Sequence, residues 1–103
     1  MRARKGQGFA ISPLVAMECL VTPIRMGHAP LEAAFRRAFE DFAMLDMSEP
    51  IFFAAAALRA RNALKTPDAL HLACAQHHGC AGLWTADQRF RDADPCLVRV
   101  ITP

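Results

Sequence analysis

The hydrophobic and polar positions of this chain change period several times, and each change marks an element. Phe9-Ala10-Ile11 is a short apolar run with the length of a buried strand. Ser12-Pro13 follows, a capping residue and a first-turn proline, so a helix opens there. Leu14, Val15, Glu18, Cys19 and Thr22 carry that helix forward, past Pro23 with a kink, to a stop at Gly27-His28. Pro30 opens a second helix. Leu31, Phe35, Ala38, Phe39 and Phe42 fall on one of its faces, and Glu32, Arg36, Arg37, Glu40 and Asp41 on the other. Ala43 to Met47 predicts a second strand. Ser48-Glu49-Pro50 starts an alanine-rich third helix that ends near Asn62. Thr66 caps a fourth helix, with Pro67 in its first position, and that helix runs to His78. Gly79 and Gly82 bracket the exit into a third strand, Gly82 to Thr85. Gln88 to Arg91 has room for one helical turn, and Leu97 to Ile101 is a last strand.

Strands alternating with helices predict an α/β fold, a parallel sheet between helical layers, in a single domain over the 103 residues. A hydrophobic fraction of 53% is enough to build a core. Arg, Asp, Glu or Pro breaks every apolar run well short of the roughly 18 residues of a membrane span. The basic opening MRARKGQG lacks the apolar centre of a signal peptide, so the expected location is cytoplasmic. A net charge of +2 is too small to argue for nucleic acid by itself. Cys19, Cys74, Cys80 and Cys96 form no CxxC pair and read as buried thiols of a reducing compartment.

Three acids, Glu18, Asp68 and Asp87, fall near strand-to-helix junctions. Each has an ordinary explanation. Glu18 suits a solvent-facing helix position, Asp68 suits the positive end of a helix, and Asp87 suits the cap of the turn after it. As a set they point elsewhere. The topology brings them toward the carboxyl edge of a sheet, where open α/β folds build their sites. Converging carboxylates repel one another unless a hard divalent cation such as Mg²⁺ or Mn²⁺ neutralises them. Such cations take oxygen ligands and handle phosphodiesters. Cys74, His77, His78 and Cys80 have a zinc-like spacing. On a helix, however, Cys74 and His78 share a face, His77 lies beside it, and Cys80 falls beyond Gly79, so no tetrahedron is presented. His71, one turn after Asp68, reads as a structural histidine ahead of a general base. Arg59, Arg61 and Lys65 lead into the Asp68 helix, either as phosphate contacts or as solvated surface.

The run Asp68-Ala69-Leu70-His71-Leu72-Ala73, followed by a strand and then Thr85-Ala86-Asp87, resembles the C-terminal half of a PIN domain. Ile11 to Glu18 resembles that family's second strand and the helix carrying its second acid. The small size resembles VapC-type toxins of bacterial toxin–antitoxin pairs. The resemblance implies a three-layer, Rossmann-like parallel sheet flanked by helices. It further implies a Mg²⁺- or Mn²⁺-dependent endoribonuclease acting on RNA, usually a homodimer, held inactive by a cognate antitoxin. Glu18, Asp68 and Asp87 would be the metal ligands and Thr85 a supporting hydroxyl.

One part of the family pattern is absent. PIN domains begin with a central strand ending in an aspartate, whereas residues 1–8 hold no acid and no apolar run. They resemble instead the end of the helix that normally follows that strand. The expectation is a partial domain, with the resemblance starting near residue 9, a sheet lacking its usual first strand, and activity only when that strand is supplied. The alternative is a non-catalytic PIN-like remnant that serves as a protein-binding module.

Overall fold

Ser12 does what its position predicts. Its Oγ accepts a hydrogen bond from the Val15 N–H at 3.2 Å, and helix α1, Pro13–Arg25, begins behind it. In the computed structural model, which describes residues 2–5, 8–80, 82–85, 93–94 and 97–100, α1 is one of four helices. The others are α2 (Ala29–Phe39), α3 (Glu49–Asn62) and α4 (Thr66–His77). The strands are β1 (Arg2–Lys5), β2 (Gly8–Ile11), β3 (Ala43–Met44), β4 (Gly82–Thr85) and β5 (Val98–Val100). They form one sheet in the order β3-β2-β1-β4-β5. The expected turn at Gln88 to Arg91 lies outside the described residues.

The sheet corrects the sequence reading in two ways. Residues 2–5 are a strand, and it occupies the central position that was expected to be empty. The sheet is also mixed and not all parallel. β1 runs antiparallel to both β2 and β4, with Ala3 opposite Ala10 on one side and Leu83 on the other. β2–β3 and β4–β5 are parallel pairs, so four strands share a direction and β1 opposes them. A hydrophobic-pattern criterion misses β1 because ladder bonds use backbone groups, which the RARK sequence supplies as well as any other. Lys5 stands opposite Gly8 at the end of this antiparallel ladder. With β1 in place, neither β2 nor β4 presents an open inner edge.

Two boundaries also shift. The strand expected over Ala43 to Met47 ends at Met44, although the Leu45 N–H still bonds the Ile11 carbonyl at 2.8 Å. Thr66 is the first residue of α4 and not its cap. The Ala69 N–H bonds the Lys65 carbonyl at 3.0 Å, which makes Lys65 the cap residue. The Thr66 hydroxyl is instead occupied by Arg59, whose Nη1 donates to it at 3.0 Å.

The core centres on α4, where Ala69 through Ala75 are all buried. Ile51 and Ala55 of α3, Leu83 of β4, Leu45 just after β3 and Leu64 of the α3–α4 link close around it. α2 packs on α1 and buries no residue fully. Its Phe35 and Phe39 rings stack at 6.2 Å, and Glu32 pairs with Arg36 at 3.0 Å on the polar side.

The link from α3 to α4 generates two predictions. Ala63, the residue after α3, has φ 54°, a left-handed conformation that a Cβ penalises. Ala63→Gly is expected to raise unfolding stability by about 1 kcal/mol, read as a higher denaturant midpoint at unchanged slope. Arg59 ties the same link together, Nε to the Leu64 carbonyl at 2.9 Å and Nη1 to Thr66. Arg59→Ala should cost about 1–2 kcal/mol. Thr66→Val should cost less and should not add to it in the double variant, since the two share one bond.

Candidate functional site

The Arg59 brace fixes where α4 begins, and that start places Asp68 in the first helical turn, half-buried. The exposed backbone N–H groups there favour a carboxylate. α4 passes through a short link into β4, so it runs back against that strand. Its first turn therefore returns toward the carboxyl end of β4, where Thr85 is the last strand residue. α1 leaves the carboxyl end of β2, which points the same way as β4. Both helices thus reach the same edge of the sheet.

One contact joins them. His71 Nε2 lies 2.8 Å from Glu18 Oε1, across 53 positions of sequence. The His71 side chain is 4% exposed and that of Glu18 is 41% exposed. A carboxylate only accepts, so the imidazole donates from Nε2. Burial pushes the His71 pKa below its ordinary value; the hydrogen bond to Glu18 and the charges of Glu18 and Asp68 oppose that shift only in part. His71 is therefore neutral at neutral pH. It is also tightly enclosed. The void bounded by Ser12, Val15, Leu45, His71, Cys74 and Leu83 measures about 10 Å³.

Two of the three predicted acids lie on the helices that this contact joins. Glu18 bonds the imidazole, and Asp68 stands one turn before His71 on the same helix. Asp87 lies outside the described residues, and of Thr85 the structure describes the backbone, paired with Val100 of β5. Among the described residues, no three His, Cys, Asp or Glu side chains gather as a metal-binding group. Glu18 and Asp68 carry the carboxylate oxygens that a hard divalent cation takes. The sequence reading took His71 as structural and did not anticipate its pairing with Glu18. The signal for it was a polar residue in the middle of an otherwise apolar helical run.

The zinc-like residues do something else. His78 Nε2 donates to the Asp46 carbonyl at 2.7 Å, and Cys74 Sγ approaches the same oxygen at 3.9 Å. Burial raises the Cys74 thiol to about 11, so it stays protonated and inert. Arg59, a candidate phosphate contact, is engaged with Leu64 and Thr66, while Arg61 and Lys65 are exposed.

α1 also has an outward apolar side, which the sequence reading did not anticipate. Met17, Leu20, Val21 and Ile24, with Met44 of β3 and Arg25 at the rim, line an open groove of about 660 Å³. Met17 is 56% exposed and Ile24 54%. Among the described residues, no helix is long and apolar enough to cross a membrane.

A family model described as PIN domain matches residues 2–94. Among solved structures, one described as a toxin-antitoxin complex from Klebsiella pneumoniae is similar to this chain with a TM-score of 0.74. The identity is 32%, over 87% of this chain and 72% of that one. No curated protein matches the chain.

The buried imidazole makes stability depend on pH. The unfolded chain protonates His71 near its ordinary 6.5, and the folded chain does so only at lower pH. Between those values the unfolded state binds more protons, so stability falls as pH falls. The contribution is complete above pH 6.5 and is lost as pH drops through the folded value, with Glu18 and Asp68 the acids facing the ring. In EDTA, the midpoint of thermal unfolding should fall with pH below 6.5, and His71→Gln should flatten that slope. An identical slope in the variant would refute the assignment.

Proposed function

The chain belongs to the PIN domain family, and on that premise we propose that it is a metal-dependent endoribonuclease of the toxin–antitoxin type. The observation that carries this reading is the Glu18–His71 contact. It brings Glu18 of α1 to the helix whose first turn holds Asp68, at the sheet edge where β4 ends at Thr85. In this reading Glu18, Asp68 and Asp87 hold Mg²⁺ or Mn²⁺, with Thr85 as a supporting hydroxyl. β1 supplies Arg2, Arg4 and Lys5 and no acid. A bound divalent cation would supply charge neutralisation, a polarised phosphodiester oxygen and an acidified water.

The protein's own groups prepare the place. Asp68 lies in the first turn of α4, where the helix N-terminus favours a carboxylate. Glu18 is held by one oxygen, and none of its other contacts among the described residues is a hydrogen bond or ion pair. Arg61 and Lys65 are exposed ahead of α4 and suit an RNA backbone. The similarity to a chain of a toxin-antitoxin complex supports an antitoxin as partner, and a homodimer belongs to the same proposal.

The groove along α1 favours a second reading, a protein-binding module without catalysis. An open apolar trough with Met17, Ile24 and Met44 exposed suits the apolar side chains of a protein partner. Metal dependence separates the two. Cleavage of single-stranded RNA by the wild-type chain should require Mn²⁺ and stop in EDTA. Asp68→Asn and Glu18→Gln should each lower it to the EDTA background while leaving the far-UV circular dichroism unchanged. Variants that cleave at the wild-type rate would sink the nuclease assignment. A wild-type chain that binds a protein partner and shows no Mn²⁺-dependent cleavage would establish the second reading.

A further inference from the structure

We infer that His71 is a positioning residue of the acid site, whose task is to set the Glu18 carboxylate for a divalent cation. The inference rests on the metal-centre reading above and adds to it a residue outside the acid set.

Its starting point is a local cost. Among the described residues, only two polar side chains are buried, Ser12 and His71. Ser12 is accounted for by its cap to Val15. His71 sits within seven consecutive buried positions of α4 whose other members are Ala69, Leu70, Leu72, Ala73, Cys74 and Ala75. A leucine would fill such a position without burying a polar ring. Packing alone therefore gives no reason for an imidazole there. The reason the geometry supplies is the 2.8 Å bond to Glu18 Oε1.

The bond is asymmetric in burial, and this sets its direction of action. His71 is locked by the surrounding core, with a void of only about 10 Å³ beside it. Glu18 is 41% exposed and stands on a helix surface, where a glutamate otherwise samples several rotamers. The rigid partner orients the mobile one. Nε2–H donates to Oε1, which leaves the other carboxylate oxygen of Glu18 for a cation. Carboxylates that ligate metals are commonly held by such outer hydrogen bonds, and loss of the outer partner typically weakens metal binding about 10–100-fold.

The test is Mn²⁺ binding to the full chain by isothermal titration calorimetry. His71→Leu should raise the Kd about 10–100-fold. His71→Gln, whose amide nitrogen reaches nearly as far as Nε2, should restore it. In a Glu18→Gln background, His71→Leu should cause no further loss, because the carboxylate it positions is gone. A purely structural histidine would lower the affinity equally in both backgrounds, and that result overturns the inference. So does an unchanged Kd in His71→Leu. If the wild-type chain binds no Mn²⁺, the metal-centre reading falls and this inference with it; wild-type binding that His71→Leu leaves intact overturns this inference alone. Should His71→Leu fail to fold, His71→Asn replaces it, with an amide too short to reach Glu18. Tight binding by His71→Gln and weak binding by His71→Asn supports positioning, and equal binding overturns it.

Discussion

The bond between His71 and Glu18 is the constraint on which the arrangement of this molecule turns. α4 is the most deeply buried helix, and a polar ring in the middle of it demands a partner. The partner is a carboxylate on α1, so α1 must lie alongside α4 in one register. That register aligns the helix leaving β2 with the helix entering β4. It also directs the start of α4, and with it Asp68, toward the edge of the sheet where both strands end. A hydrophobic contact between the two helices would allow sliding by a fraction of a turn. A 2.8 Å hydrogen bond between a locked ring and a carboxylate does not.

The sequence was legible where local chemistry decides structure. Ser12-Pro13 opened α1 as read, and the apolar runs at Phe9-Ala10-Ile11 and from Gly82 to Thr85 both proved to be strands. It was less legible where long-range pairing decides. β1 has no apolar pattern, and its place is set by the two strands on either side of it. The strand expected to reach Met47 stops at Met44, where its pairing with β2 ends. Thr66 looked like a cap because capping residues are common before proline. A guanidinium from α3 claims its hydroxyl, which no local rule could anticipate. Motif spacing singled out the acids Glu18 and Asp68 as candidates. The pairing of Glu18 with His71 was not legible, since 53 positions separate them.

α1 has two duties that its sequence pattern does not distinguish. One side carries Glu18 toward α4. The other exposes Met17, Val21 and Ile24 in the groove that ends at Arg25. A helix apolar on its outer side as well as its inner one is expected where something covers it. Catalytic and partner-binding surfaces would thus share one rigid element.

The reversed central strand bears on this point. β1 opposes the direction of its neighbours and contributes no acid, so a site built on the end of that strand would be lost. The acids that remain visible, however, sit on α1 and α4, and their mutual placement is set by a helix–helix contact above the sheet. What β1 must provide is only a spacing: two ladders that hold β2 and β4 one strand apart. A strand of either direction can do that, because both ladder types place neighbouring strands about 4.8 Å apart. The Glu18–Asp68 side of the site is therefore tied to the packing of two helices more closely than to the polarity of the strand beneath them.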